Sequence, residues 1–285
     1  MNRLTIAIPT FRRPQDLKRA VIGVLEQAGE LVGGSSAEAR EPEGDAAGAA
    51  DVDGVAGRGV SDVEVLVIDN DTQGTGREAA LAAAADAGVP VRSSAEAPEE
   101  PGGVGLRYVV EERPGVAAVR NRALDETGGR DLLVFIDDDE EPEPGWLAAL
   151  VGLWASTGCQ AVAGPVIPVY EVEPEAWVRQ GEFFVRRTWP TGTVRPVAAS
   201  NCLLLDLGFV RRAGLRFDEA FGATGGEDTL FTRRLSAAGG VIRWCDEARV
   251  RDHVPASRLT RPWILRRQRS HAATSVRVEL ALAGG

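Results

Sequence analysis

Three adjacent carboxylates, Asp137, Asp138 and Asp139, close the apolar run Leu132-Leu133-Val134-Phe135-Ile136. Five apolar residues in a row read as a buried strand. Three acids side by side repel one another, so their gathering at a strand end asks for a reason. A hard divalent cation supplies one, because it takes oxygen ligands and neutralises the cluster. The strand end of an open α/β sheet is also where ligands bind. The alternative is a solvated acidic turn, continued by Glu140, Glu141 and Glu143.

A second acidic strand end, Asp69 with Asp71, follows Val63 to Ile68. In a parallel sheet the carboxyl ends of strands share one edge, so the two clusters can be neighbours. One can bond a ribose or base, while the other holds Mn²⁺ or Mg²⁺ on a diphosphate. Such a cation acts as a Lewis acid on a leaving diphosphate, and Arg13 or Arg120 can add fixed donors. Further on stands Thr224-Gly225-Gly226-Glu227-Asp228. Its glycines allow close backbone approach to a ligand, and Glu227 or Asp228 can take a proton from an attacking hydroxyl. A helix N-cap is the competing reading. In Arg251-Asp252-His253-Val254-Pro255, His253 is either a metal or phosphate ligand or an unpaired surface histidine.

The elements that would position these residues alternate. Thr5 to Ile8 reads as the first strand, and Pro9-Thr10-Phe11-Arg12-Arg13-Pro14 turns it into a helix with Leu17, Ala20, Val21, Val24 and Leu25 at helical spacing. Residues 30–61 have almost no large apolar side chains and are expected to be a disordered insertion. Further expected elements are a helix over 76–87, a loose insertion over 92–105, a short strand Tyr108 to Val110 and a helix start over 115–125. After the acidic triplet come an amphipathic helix over 144–157, with Trp146, Leu150 and Trp154 on one core stripe, and strands over 162–169 and 199–206. A helix over 229–238, a strand over 241–245 and a basic helix around Arg261 to Ala273 complete the chain. This alternation predicts an α/β fold with a mostly parallel central sheet and helices on both faces.

The 285 residues suffice for one large α/β domain, and no apolar stretch approaches the roughly 20 residues that cross a bilayer. The N-terminus enters a strand without a secretory apolar segment. Cys159, Cys202 and Cys245 are widely spaced and odd in number. They suggest small buried hydrophobes in a reducing cytoplasm. His253 and His271 are the only histidines, which excludes a multi-histidine metal site. The net charge of −10 is uneven: residues 1–175 carry 14 Lys/Arg against 32 Asp/Glu, and residues 176–285 carry 18 against 10. A basic C-terminal part suits a phosphate-bearing ligand or an anionic membrane surface. Nothing points to nucleic acid.

Taken together, these residues resemble the family 2 glycosyltransferases, which have the GT-A, Rossmann-like fold. The resemblance rests on Pro9-Thr10-Phe11-Arg12-Arg13-Pro14, Val67-Ile68-Asp69-Asn70-Asp71 and Gly115-Val116-Ala117-Ala118-Val119-Arg120-Asn121. It continues through Phe135-Ile136-Asp137-Asp138-Asp139-Glu140, Trp146-Leu147, Phe217-Asp218-Glu219 and Gly225-Gly226-Glu227-Asp228. Within the family the pattern is similar to the bacterial exopolysaccharide glucosyltransferases of the succinoglycan type. The resemblance implies inverting, metal-dependent transfer of a sugar from a nucleotide diphosphate, with UDP-glucose as donor, to a hydroxyl of a glycan or lipid-linked acceptor. It implies that Asp69 contacts the base, Asp138 the ribose and Asp139 the metal, with Asp137 in support. Asp228 would deprotonate the acceptor and Glu227 orient it. Pro9, Thr10, Arg13, Asp71 and Arg120 would complete the donor site.

The expected organisation is one domain over 1–275, with a donor half to about 165, an acceptor half over about 166–260, and a basic C-terminal helix and tail over 261–285. A cytoplasmic protein with peripheral contact at the inner membrane face fits that basic, tryptophan-bearing end. Arg251 stands where the subgroup often has a histidine, so either Arg251 or His253 could reach the diphosphate. A nucleotidyltransferase of similar fold would want a glycine-rich loop after the first strand, and Pro9 to Pro14 contains no glycine. Intact Asp139 and Asp228 argue against a non-catalytic sugar-nucleotide-binding protein.

Overall fold

In the computed structural model, the structure describes residues 1–38, 59–93, 102–222 and 225–283. The donor-side elements are β1 (Asn2–Thr10), α1 (Pro14–Glu38), β2 (Val60–Asp69), α2 (Arg77–Asp86), β3 (Gly103–Val110), α3 (Val116–Glu126) and β4 (Leu132–Ile136). Then come β5 (Glu140–Pro142), α4 (Trp146–Thr157), β6 (Ala161–Ala163), β7 (Val166–Tyr170), α5 (Ala176–Gln180), β8 (Val194–Arg195), β9 (Cys202–Asp206) and α6 (Leu207–Arg212). The chain continues with α7 (Glu227–Ala237), β10 (Ile242–Trp244), β11 (Val250–Val254) and α8 (Arg261–Ala283). Short 3₁₀ turns occupy Glu219–Phe221 and Ala256–Arg258.

Eight strands form one sheet in the order β3-β2-β1-β4-β9-β6-β10-β8, and β5-β11-β7 form a second, three-stranded sheet. Strands β3, β2, β1 and β4 run parallel, whereas β9 lies antiparallel between β4 and β6. Alternation along the strands explains the two cores. Leu4, Ile6 and Ile8 of β1, with Val63, Val65 and Val67 of β2, pack under α1, α2 and α4. Ala7, Leu66, Ile68, Leu133 and Phe135 face the other way, against α3, α6 and α7. Each fully buried aliphatic side chain contributes about 1.5–3 kcal/mol, so this two-faced burial fixes strand register firmly. The expected tryptophan stripe is core: Trp146 and Leu150 are completely buried and Trp154 nearly so. All three cysteines are free and buried.

Three expectations change. Helix α1 continues to Glu38, well into the segment expected to be disordered, because Leu31 and Val32 still find the core to pack against. The rest of that segment up to residue 58 lies outside the described residues. Strand β3 begins at Gly103, so the loose segment expected over 92–105 ends earlier; residues 94–101 lie outside the description. The single strand expected over 162–169 is two, β6 in the large sheet and β7 in the small one. The break falls at Gly164-Pro165, where a Cβ on Gly164 would stand 2.1 Å from the Ala248 carbonyl oxygen. Among the described residues no helix is long and apolar enough to cross a membrane.

Candidate active site

The carboxyl ends of β1 and β4 open on a cleft of about 580 Å³. It is lined by Pro9, Thr10, Phe11 and Arg13 after β1, Asn70 after β2, Pro114 to Val116 with Val119 and Arg120 at the start of α3, and Asp137 to Asp139 after β4. The parallel register that pairs Ala7 with Phe135 puts the next turns side by side. Thr10 Oγ1 therefore donates to Asp138 Oδ2 at 2.7 Å, and Arg13 Nη1 reaches Asp138 at 3.2 Å and Asp139 at 2.9 Å. Burial pushes the Asp138 carboxyl up to about 6, against the opposing pull of Thr10 and Arg13. Asp137 is also raised, by burial first and by Asp139 among its neighbours, although Arg120 pulls it down.

Arg120 joins this acidic strand end to the second one. Its guanidinium sits 3.6 Å from Asp137 Oδ1 and hydrogen-bonds Glu227 Oε1. Both side chains of that last pair are almost wholly buried. Burial raises the Glu227 carboxyl in spite of Arg120. Among the described residues two buried polar atoms there have no hydrogen-bond partner, Arg120 Nε and Glu227 Oε2. Asp228, the next residue of α7, accepts from Thr229 N at 2.6 Å with one oxygen and from Ser200 N at 3.4 Å with the other. The N-cap of α7 is Gly226, with no side-chain cap bond, so the carboxylate pair forms the acidic first turn of the helix, and Arg120 joins Glu227 to the triplet. Gly226 serves packing: with φ of +94°, a Cβ on it would lie 2.2 Å from Thr274 Cγ2 of α8. Thr224 lies outside the described residues.

Asp69 and Asp71 are engaged by groups within the protein. The fully buried Asp69 accepts from Asp71 N, Gly76 N and Tyr108 Oη at 2.6–2.9 Å. Asp71 accepts from Arg12 Nε and Thr75 Oγ1. Neither lines the cleft; their hydrogen bonds shape the β2–α2 turn, and Asn70 between them faces the cleft instead. Asn70 Oδ1 in turn accepts from Gly115 N at 2.8 Å, fixing the start of α3. Arg251 and His253 also lie off the cleft. They occupy one side of β11 and meet Glu143 and Glu141 at 2.9 and 3.0 Å. Strand alternation turns Asp252 the other way, 3.8 Å from Arg258. Arg258 itself donates to Asp139 at 3.1 Å. Arg258 and Asn201 stand near the acidic turn and belonged to no quoted motif, whereas Glu140 and Asp252 stood inside quoted stretches without a role of their own; only the two-residue period of β11 could have separated Asp252 from its neighbours.

The residues present fit a divalent cation held jointly with a phosphate. Among the described residues no group of three or more His, Cys, Asp or Glu is arranged to hold an ion. Two carboxylates, Asp137 and Asp139, completed by phosphate oxygens and water, are nevertheless the donor set that Mg²⁺-type ions use. Burial raises the carboxyls of Asp137 and Asp138, and a cation at this turn would favour their charged forms.

Sheet order, the acidic turn after β4 and the cleft above it define a GT-A type nucleotide-sugar fold. The model of the Glycosyl transferase family 2 matches residues 52–203, and the chain belongs to that family. It is 35% identical over 169 residues to the succinoglycan biosynthesis protein ExoM of Rhizobium meliloti (strain 1021), an alignment covering 57% of this chain and 52% of that protein. The chain thus spans about half the length of this curated relative. Among solved structures, S. aureus TarS 1–349 in complex with UDP-GlcNAc shares the fold with a TM-score of 0.56, at 13% identity over 88% of this chain and 60% of that one. GalNAc-T7 with UDP, GalNAc and Mn²⁺ does so with a TM-score of 0.57, at 14% identity over 89% and 44%.

Proposed function

We propose that the protein is an inverting, metal-dependent glycosyltransferase that moves a sugar from a nucleotide diphosphate to a hydroxyl of a glycan or lipid-linked acceptor, with UDP-glucose as the donor, in exopolysaccharide synthesis. The observation that carries this reading is Arg120, which ties the Asp137–Asp139 turn to Glu227 and Asp228 in one site. A donor-binding edge and a candidate base are thereby held at a fixed separation. Support for the donor and pathway comes from the UDP-sugar bound by TarS and from the succinoglycan role in the name of ExoM.

Asp137 and Asp139 would hold Mn²⁺ or Mg²⁺, which when bound supplies Lewis-acid stabilisation of the leaving diphosphate. Thr10 and Arg13 fix Asp138 for a ribose hydroxyl. Asp228 takes the proton of the acceptor hydroxyl as its oxygen bonds the anomeric carbon, and the bond from that carbon to the diphosphate oxygen breaks on the opposite face. Buried Arg120 keeps Glu227 oriented against Asp228. A second cavity of about 230 Å³, lined by Arg186, Trp189, Asn201 and Thr229 among others, adjoins the Asp228 side and suits the acceptor. The Trp263-bearing, arginine-rich start of α8 fits peripheral contact at the inner face of the membrane in a cytoplasmic protein.

Incubation with a panel of UDP-sugars and Mn²⁺, followed by release of UDP, tests the reading. Release with UDP-glucose that disappears on Asp228→Asn is expected; no release with any nucleotide sugar, with or without a polyprenyl-linked glycan, would reject it.

A further inference from the structure

Three arginines from separate segments converge on the C-terminal side of the acidic turn. Arg186 follows α5, Arg258 lies in the 3₁₀ turn after β11, and Arg267 is on α8. Arg258 donates to Asp139 at 3.1 Å and lies 3.8 Å from Asp252. Its guanidinium carbon and that of Arg267 stand 5.9 and 5.5 Å from the ring centre of Trp263, which stacks on Phe184. Arg186 donates to Asn201 Oδ1 at 3.0 Å. Asn201 in turn donates to Glu140, whose other oxygen accepts from Asp137 N. Arg186 is therefore linked by a chain of hydrogen bonds to the backbone of the acidic turn.

Asp139 and Asp252 lie in electrostatic reach of this group, and both already face Arg258. Among the described residues neither Arg186 nor Arg267 has a carboxylate within ion-pair distance, and Arg258 shares Asp139 with Arg13. Desolvation, then the positive charges of Arg186 and Arg258, hold Arg267 below the ordinary arginine range. Guanidiniums favour phosphate oxygens because they present planar, paired donors.

We propose that Arg186, Arg258 and Arg267 form the seat of a diphosphate ester beside the acidic turn, where Arg258 meets the same Asp139 oxygen as Arg13. This rests on the glycosyltransferase reading for its ligand, and two sources share the chemistry: the nucleotide donor and a lipid diphosphate carrying the acceptor. The melting temperature of the R186Q/R267Q variant without ligand separates a lost ligand contact from a loss of fold caused by removing the Arg186–Asn201 bond.

Calorimetric titration of the full chain in the presence of Mn²⁺ with UDP, uridine, farnesyl diphosphate and inorganic pyrophosphate, before and after R186Q/R267Q, tests the seat. A charged hydrogen bond lost per arginine weakens the affected ligand by about tenfold or more. Weakened UDP with unchanged uridine assigns the seat to the donor, and weakened farnesyl diphosphate with unchanged UDP assigns it to the acceptor. Wild-type affinity of the double variant for all diphosphates overturns the proposal. Should the wild type bind no nucleotide, the function reading fails by itself. Pyrophosphate affinity then decides the seat: affinity lost with the two arginines supports it, and affinity absent or unaltered rejects it.

Discussion

Buried charge lies at both ends of the parallel half of the sheet, and the two ends treat it differently. At the amino end, Arg107 pairs with Glu64 and Glu126, and Arg130 pairs with Asp62, which also accepts from Arg92. Each acid there faces an arginine, and the network binds β2, β3, α3 and the entry to β4. At the carboxyl end, Asp137, Asp138 and Glu140 crowd together with carboxyls raised by burial, while Arg186 and Arg267 stand nearby without carboxylates of their own. Paired burial holds the fold. At the carboxyl end the pairing is looser: Arg120 stands 3.6 Å from Asp137, Arg13 is shared between Asp138 and Asp139, and among the described residues Glu140 has no arginine within ion-pair distance.

That contrast predicts opposite consequences for the two ends. The largest effect falls on turnover: Asp228→Asn should lower the rate of sugar transfer by about 10²–10⁴-fold, the range for a general base, with the denaturation midpoint unmoved. Steady-state kinetics beside urea unfolding checks both halves. Arg107→Ala should do the reverse, destabilising by about 3–5 kcal/mol because Glu64 loses its closest counter-charge in the interior. Chemical denaturation reads that loss.

Asp138→Asn sharpens the comparison further. A carboxyl raised to about 6 in the folded protein, against an unfolded value near 3.9, opposes folding at neutral pH. That penalty fades as the pH falls through about 6 and the folded protein takes up the proton. The variant should therefore be more stable than the wild type by about 1–2 kcal/mol near pH 7, with the difference closing towards about pH 4. Thermal unfolding across that range shows whether it does. The smallest effect belongs to His253→Ala and Arg251→Ala. Their partners are part-exposed acids, Glu141 of β5 and Glu143 just beyond it, and each should change stability by less than about 0.5 kcal/mol and leave transfer unaltered.

Much of this was legible in the residues themselves. The apolar run before Asp137, the two-residue alternation of β1 and β2 and the helical stripe Trp146, Leu150, Trp154 follow directly from burial, and the family pattern placed the cleft. What was not legible depends on direction. Asp69 and Asp71 look like ligand-facing acids, yet two backbone N–H groups and Tyr108 donate to Asp69, and Arg12, Thr75 and the N–H of Gln73 donate to Asp71. Sequence cannot say which way a carboxylate at a turn points. Arg258 belongs to no motif and Asp252 has no role of its own within one, because their meeting with Asp139 requires the small sheet to fold back beside the large one. Pro165 was visible, but that the strand changes sheets there depends on Ala248 pressing against Gly164.

The central claim is that the acidic turn after β4 binds a nucleotide diphosphate with a cation. Thermal unfolding of the wild type and of Asp139→Ala with UDP, GDP, dTDP and CMP, each with and without Mn²⁺, tests it most directly, since a ligand that binds only the folded state raises the melting temperature. The account predicts a rise with UDP that needs Mn²⁺ and is lost in Asp139→Ala. A rise of equal size without Mn²⁺ or in the variant, or no rise with any nucleotide, would contradict it.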